Sequence, residues 1–238
     1  MKSFRHRDPA KEILDDLECH GEAVDQNLKE LDIINTLLGG NAISVAALKT
    51  VIKSKPNQRL WKIADLGCGS GHLMLEMKKV LNQYQLKSDF TGFDANPFIV
   101  EYARQHCSSS PAIKIVCSNV LTDSFSEVYD IVHASLFLHH FTEEELVFLL
   151  QKLKAQTSTA LIINDLHRHP LAYYAIKFLT RFFSKSYLVQ HDAALSVAKG
   201  FKKEEWAKIL DRAGYKRYTI NWVWAFRHRI ILYPDFSR

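Results

Sequence analysis

Short apolar runs alternate with longer stretches of helical periodicity along most of this 238-residue chain. The runs at 63–66, 90–94, 113–117, 129–134 and 160–164 are short and rich in Ile, Val, Phe and Ala, as buried strands are. Between them, 73–80, 98–106 and 146–155 repeat apolar residues every three or four positions, as helices packed on a sheet do. Thr142 followed by Glu143, Glu144 and Glu145 supplies an N-cap and first-turn acids for the last of these. A helix over 202–213 ends at Gly214, and 215–224 and 226–233 alternate well enough to pair as a hairpin. Strands alternating with helices predict an α/β fold, with a seven-stranded, mostly parallel sheet ending in an antiparallel C-terminal hairpin.

Two regions fall outside that alternation. Ahead of the first strand, the pattern predicts helices at 11–17, at 24–38 and at about 44–53, with Gly39 and Gly40 closing the second of them. Residues 1–55 therefore read as a helical extension, either a packing appendage or a lid, before a main domain over 56–238. The other region, 171–200, is longer than a plain connection. It carries a broad stripe of Leu171, Tyr174, Ala175, Phe178, Leu179, Phe182 and Phe183, with Lys177, Arg181 and Lys185 elsewhere. Such a stripe packs into a core, lines a greasy pocket, or lies on a membrane surface, for which its basic face is short.

Composition is ordinary for a globular chain, at 47% apolar and 24% charged residues. The net charge of +5 is scattered, without the basic block that tracks a phosphate backbone, so nucleic acid is not an expected partner. Cys19, Cys68, Cys107 and Cys117 form no C-x-x-C pair, and no run is long enough for stable membrane insertion. These features predict a cytoplasmic protein, monomeric or homodimeric.

The chemistry concentrates in Ile63-Ala-Asp-Leu-Gly-Cys-Gly-Ser-Gly-His-Leu73. An apolar run carrying an acid, then glycines at 67, 69 and 71, then a helical pattern, describes a strand, a tight turn and a helix start where a ligand can lie against the main chain. Asp94 ends the second run, where an acid accepts hydrogen bonds from ribose hydroxyls. The glycines follow D-x-G-x-G-x-G rather than the dinucleotide spacing. With Asp94 and the segment Val128-Tyr-Asp-Ile-Val-His-Ala-Ser-Leu-Phe-Leu-His-His140, this pattern resembles the class I methyltransferases that use S-adenosylmethionine.

That resemblance implies a Rossmann-like sheet, S-adenosylmethionine as cofactor and S-adenosylhomocysteine as product. It sets Asp65 near the methionyl end and Gly67, Cys68, Gly69 and Gly71 beneath it. Asp94, with Ala95 and Asn96, falls at the ribose, Asn119 and Val120 beside the adenine, and Ser135 and Leu136 toward the methyl. Many relatives have aspartate where Asn119 stands; its carbonyl oxygen can still accept a hydrogen bond.

His139, His140 and His167 are the candidate proton acceptors, since each falls at or after a strand's carboxyl end. A histidine there also serves as satisfied core. The alternation of Asp165, His167 and His169 raises a zinc site, but four ligands in a recognisable spacing are lacking and no metal is expected. The segments 165–169 and 190–201 resemble a bacterial subgroup of small-molecule methyltransferases of polyketide or quinone-like biosynthesis. This implies an aromatic or polyketide-like acceptor, methylated at oxygen, with His191, Asp192, Tyr174 and Phe178 in its pocket. A macromolecular methyltransferase and an inactive cofactor-binding protein are the alternatives.

Overall fold

The computed structural model describes residues 3–125 and 127–234. Seven strands form one sheet: β1 (Leu60–Leu66), β2 (Lys87–Asp94), β3 (Ile113–Cys117), β4 (Tyr129–Ser135), β5 (Thr157–Leu166), β6 (Arg217–Val223) and β7 (Arg227–Tyr233). They lie in the order β3-β2-β1-β4-β5-β7-β6. β1 to β5 run parallel, while β7 is antiparallel to both β5 and β6. The order reverses between β1 and β4, so the crevice at the carboxyl ends of those strands is where such a sheet receives a ligand.

Alternation along the strands feeds two cores. Ala64, Leu66, Val132, Leu161, Ile163, Ile230 and Leu232 face α5 (Glu143–Gln156) and α8 (Lys203–Arg212), including Leu149, Leu153 and the fully buried Trp206. On the opposite face, Trp61, Ile63, Phe90, Ile131 and Ile162 meet α2 (Gly40–Lys53), α3 (His72–Gln83) and α4 (Pro97–His106). The N-terminal α1 (Glu22–Leu37) packs Val24 and Leu28 on Ile99 and Leu188.

Three expectations shift. Residues 11–17 form only a 3₁₀ turn, Ile13–Asp15. The Asp192 carboxylate takes the N–H groups of Ile13 and Leu14, and the Asp15 carboxylate takes that of Glu12, so side chains displace the helical ladder. The helix expected from about 44 starts at Gly40, because Gly39 in the left-handed conformation ends one helix and opens the next. The stretch 171–200 is two helices, α6 (Pro170–Phe183) and α7 (Tyr187–Lys199), separated at Ser186, whose hydroxyl accepts from Val189 N–H.

Among the described residues, no single helix is long and apolar enough to cross a membrane. α1 and α2 reach that length together but bend by 65° between them.

Candidate active site

At the β1–β4 crevice lies a cavity of about 1110 Å³. It is larger than a pocket for one small ligand, usually 300–1,000 Å³. Its floor is the glycine turn. Gly67 and Gly69 are left-handed (φ 63° and 52°), and a Cβ on Gly67 would fall 2.2 Å from the Phe137 ring. Cys68 lines the same wall, and burial pushes its thiol well above the usual range. Gly71 serves otherwise. A Cβ there would sit 2.6 Å from Cys107 Sγ, and Gly71 is absent from the cavity wall, so it lets α3 approach α4.

Asp94 ends β2 with Oδ1 accepting Asn96 N–H at 3.1 Å and Oδ2 accepting Gly69 N–H at 3.1 Å. Burial raises its proton affinity, against those hydrogen bonds. Asn96 caps α4 by accepting from Phe98 and Ile99 N–H. Ala95, Asn96, Asn119 and Val120 complete this end of the cavity. The Asn119 Oδ1 is engaged by Leu121 N–H at 3.0 Å.

Asp65 is buried at the crevice, and its Oδ1 meets His133 Nδ1 at 2.6 Å; the other ring nitrogen lies 3.0 Å from Ser44 Oγ. The carboxylate is thus held by β4 and α2 while still bordering the cavity. Leu136, beyond β4, has φ 51°, a conformation that costs a branched side chain energy and turns the chain over the crevice. Ser135 and Leu136 both line the cavity.

The far end holds a cluster of charges from three segments. His139, 2% exposed, has Nδ1 2.7 Å from Asp165 Oδ1 and donates its backbone N–H to Asp165 Oδ2. Its Nε2 has no hydrogen-bond partner and lies 3.6 Å from Glu12 Oε1. Burial works against the Asp165 charge, but His139, the Leu166 N–H and His140 together outweigh it and hold this carboxyl below its usual range. His140 Nδ1 meets Asp15 Oδ1 at 2.5 Å. Lys199 Nζ reaches Asp15 at 3.0 Å and Glu12 at 3.3 Å. Glu12, His139 and His140 offer ligand atoms within 4.8 Å of one another, a spacing a metal could use, but the Lys199 ammonium already faces the Glu12 oxygen.

Over this cluster runs the irregular segment ahead of the 3₁₀ turn. Arg7 donates to the carbonyls of Lys199 (2.6 Å), Phe141 (2.9 Å) and His139 (2.5 Å), with its guanidinium 3.7 Å above the Phe201 ring.

Residues 63–158 match the family model of a methyltransferase domain. The match runs from β1 into β5 and covers 96 of the 238 residues. No curated protein matches the sequence. Human N-acetylserotonin methyltransferase in complex with S-adenosylmethionine is a structural neighbour at TM-score 0.64 and 18% identity. That match covers 91% of this chain but only 56% of the human one, so the chain spans little more than half of that neighbour. The plantazolicin methyltransferase BpumL with S-adenosylhomocysteine matches at TM-score 0.64 and 16% identity, over 89% of each chain. Magnesium protoporphyrin IX methyltransferase from Synechocystis PCC 6803 matches at 0.56 and 16%, over 82% of this chain and 84% of that one.

Besides Gly71, four expected residues stand away from the cavity. His167 turns to His228, Nδ1 to Nε2 at 3.0 Å, where burial and the His169 charge lower its pKa. Asp165 meanwhile bonds His139 and His169 caps α6 by accepting from Leu171 N–H, so these three form no common site. His191 is largely exposed and bonds Asp192, which borders the cavity but spends its carboxylate on the Ile13–Asp15 turn. Tyr174 and Phe178 point outward, whereas Ala172, Ala175, Ile176 and Leu179 of the same helix line the cavity. Glu12, Asp15, Arg7 and Lys199 were not legible as site residues. Each lies in a segment whose position against β4 and β5 is set only by the folded chain.

Proposed function

We propose that this chain transfers a methyl group from S-adenosylmethionine to an oxygen of a small, apolar aromatic or polyketide-like acceptor. One observation carries the reading: the glycine turn, Asp94 and the oriented His139 all open into one cavity with room for a cofactor and a second molecule.

The residues fit the cofactor. A side chain on left-handed Gly69 would project into the cavity, where its Cβ meets nothing nearer than Leu28 at 3.9 Å, and Asp94 is a carboxylate held by two backbone N–H groups at the position suited to a ribose diol. Gly67 and Gly69 would hold the amino-acid end, and Asn119 with Val120 the adenine. When bound, the sulfonium supplies an electrophilic methyl.

The chain's part is alignment and proton removal. Ala172, Ala175, Ile176 and Leu179 give the acceptor an apolar wall, and the segment around Arg7 excludes water. Alignment of this kind is worth about 7–11 kcal/mol of barrier. Donation of Nδ1–H to Asp165 leaves His139 Nε2 as the basic atom, and that is the atom without a hydrogen-bond partner. A base there contributes about 10²–10⁴-fold for a phenol or enol.

Titration calorimetry with S-adenosylmethionine and S-adenosylhomocysteine tests the reading. Micromolar binding is expected, weakened about 10–100-fold in Asp94→Ala by loss of charge-assisted hydrogen bonds. Folded protein that binds neither ligand overturns it.

A further inference from the structure

The three elements that rim the cavity mouth each turn one apolar edge inward and another into solvent. At the end of α1, Ile34 and the C-cap Leu38 line the cavity while Leu37 between them is 79% exposed. On α6, Ile176 and Leu179 line it while Phe178 and Phe182 on the other edge are 61% and 64% exposed, and Phe183 at the helix end is 79% exposed. At the β6–β7 turn Trp224 does both, lining the cavity and remaining 71% exposed. These elements are neighbours: Asn35 accepts from Arg227 at 2.8 Å, the Phe226 ring stacks on His169 at the start of α6, and Glu30 of α1 accepts from Ser184.

Charge follows the same boundary. None of the 26 acidic residues falls in 33–64, 166–191 or 212–234, which contain the last turn of α1, all of α6 and the β6–β7 turn; the acids of α1 lie ahead of that last turn. Along α6, at 100° per residue, exposed Lys177 and Arg181 border the outward apolar face on the side away from the cavity-lining edge. Lys185 follows at the helix end, and Glu30 beside it accepts from Ser184, Lys185 and Ser186. A helix with large aromatics on one face and cations along its border is built to lie in a lipid interface, and tryptophans prefer that depth.

We infer that this rim docks the chain on an anionic bilayer with the cavity mouth against the lipid. Its consequence for the acceptor, entry from the bilayer rather than from water, rests on the methyl-transfer reading; docking itself does not. It involves adsorption to the surface and no spanning helix. A second copy covering the same face would leave the cations facing one another, which a lipid headgroup layer does not.

Intrinsic fluorescence tests this directly, because Trp61 and Trp206 are fully buried and exposed emission comes from Trp222 and Trp224. The full chain, without cofactor, is mixed with vesicles of phosphatidylcholine alone or with about 30% phosphatidylglycerol, so that several anionic lipids face each cation. Expected are a blue shift, quenching by brominated lipid, and co-sedimentation at least about tenfold stronger with the anionic vesicles. Phe182→Ser/Phe183→Ser loses about tenfold or more of that binding, and Lys177→Gln/Arg181→Gln loses the preference for anionic lipid. Unchanged circular dichroism shows that both variants fold. No vesicle binding, or binding that the variants leave intact, overturns the inference. So does a wild-type dimer that ignores vesicles and becomes monomeric in Phe182→Ser/Phe183→Ser. Because cofactor titration is a separate measurement, failure of docking and failure of the methyl-transfer reading are distinguishable.

Discussion

Asp15 and His140 hold each other charged against their burial. Burial disfavours both ions, yet the hydrogen bond and charge of His140 keep the Asp15 carboxyl well below its usual range, and Asp15 with Glu12 raises the His140 pKa above the ordinary 6.5. A depressed carboxyl adds stability above its unfolded pKa of about 4, lost as pH falls through the folded value. A raised histidine adds stability that is full below about 6.5 and lost as pH rises through the folded value. The pair therefore contributes most between about pH 4 and 6.5. In Asp15→Asn the His140 titration followed by NMR should move to lower pH, with roughly 1–3 kcal/mol of stability lost inside that window. An unchanged midpoint would show that Asp15 does not set the His140 charge. None of this was legible along the chain, because residues 15 and 140 are 125 positions apart and nothing local to either records the other.

At the scale of elements, what the sequence announced were the strands and the turn between β1 and α3. Asp65, Gly67, Gly69 and Asp94 announce themselves because their chemistry depends on neighbours one strand or turn away. The α6 face did not. Its apolar arc is wide enough to include both Ile176 and Phe178, and periodicity alone does not say which edge meets the cavity. Gly71 shows a second limit. It belongs to the motif by spacing, but its φ of 77° and its closeness to Cys107 Sγ assign it to helix packing. Gly71→Ala should cost about 1–2 kcal/mol for the left-handed backbone and a further ~1–3 kcal/mol for overpacking. Cys107→Ala in the same chain should return the overpacking part only. Urea unfolding of the two single variants and the double variant reads this as a coupling energy. Strict additivity would remove Cys107 as the obstacle.

For the molecule as a whole, the N-terminal segment is what joins the charge cluster to the sheet. Arg7 ties it to the carbonyls of Lys199, Phe141 and His139, Asp8 N–H donates to Ala198 O, and Asp192 takes the amides of Ile13 and Leu14. These contacts bring Glu12 and Asp15 beside the histidines, some 125 residues downstream, whereas the glycine turn and Asp94 need nothing from this segment. Loosening it should therefore separate two steps. In Arg7→Ala, three carbonyls lose a charged donor, each such bond being worth about 1.5–3 kcal/mol, and the Phe201 ring loses its cation. Lysine is no substitute, since one ammonium cannot span three acceptors in a plane. The amides of Asp8, Ile13 and Leu14 should then exchange with solvent faster while those of β1 and β4 stay protected. Cofactor affinity should hold within a few-fold, and kcat should fall by about tenfold or more, as expected when alignment and water exclusion are lost but the nucleoside site is intact. Equal loss of cofactor affinity and turnover would mean instead that the segment supports the whole crevice, and that the two ends of the cavity are not separable.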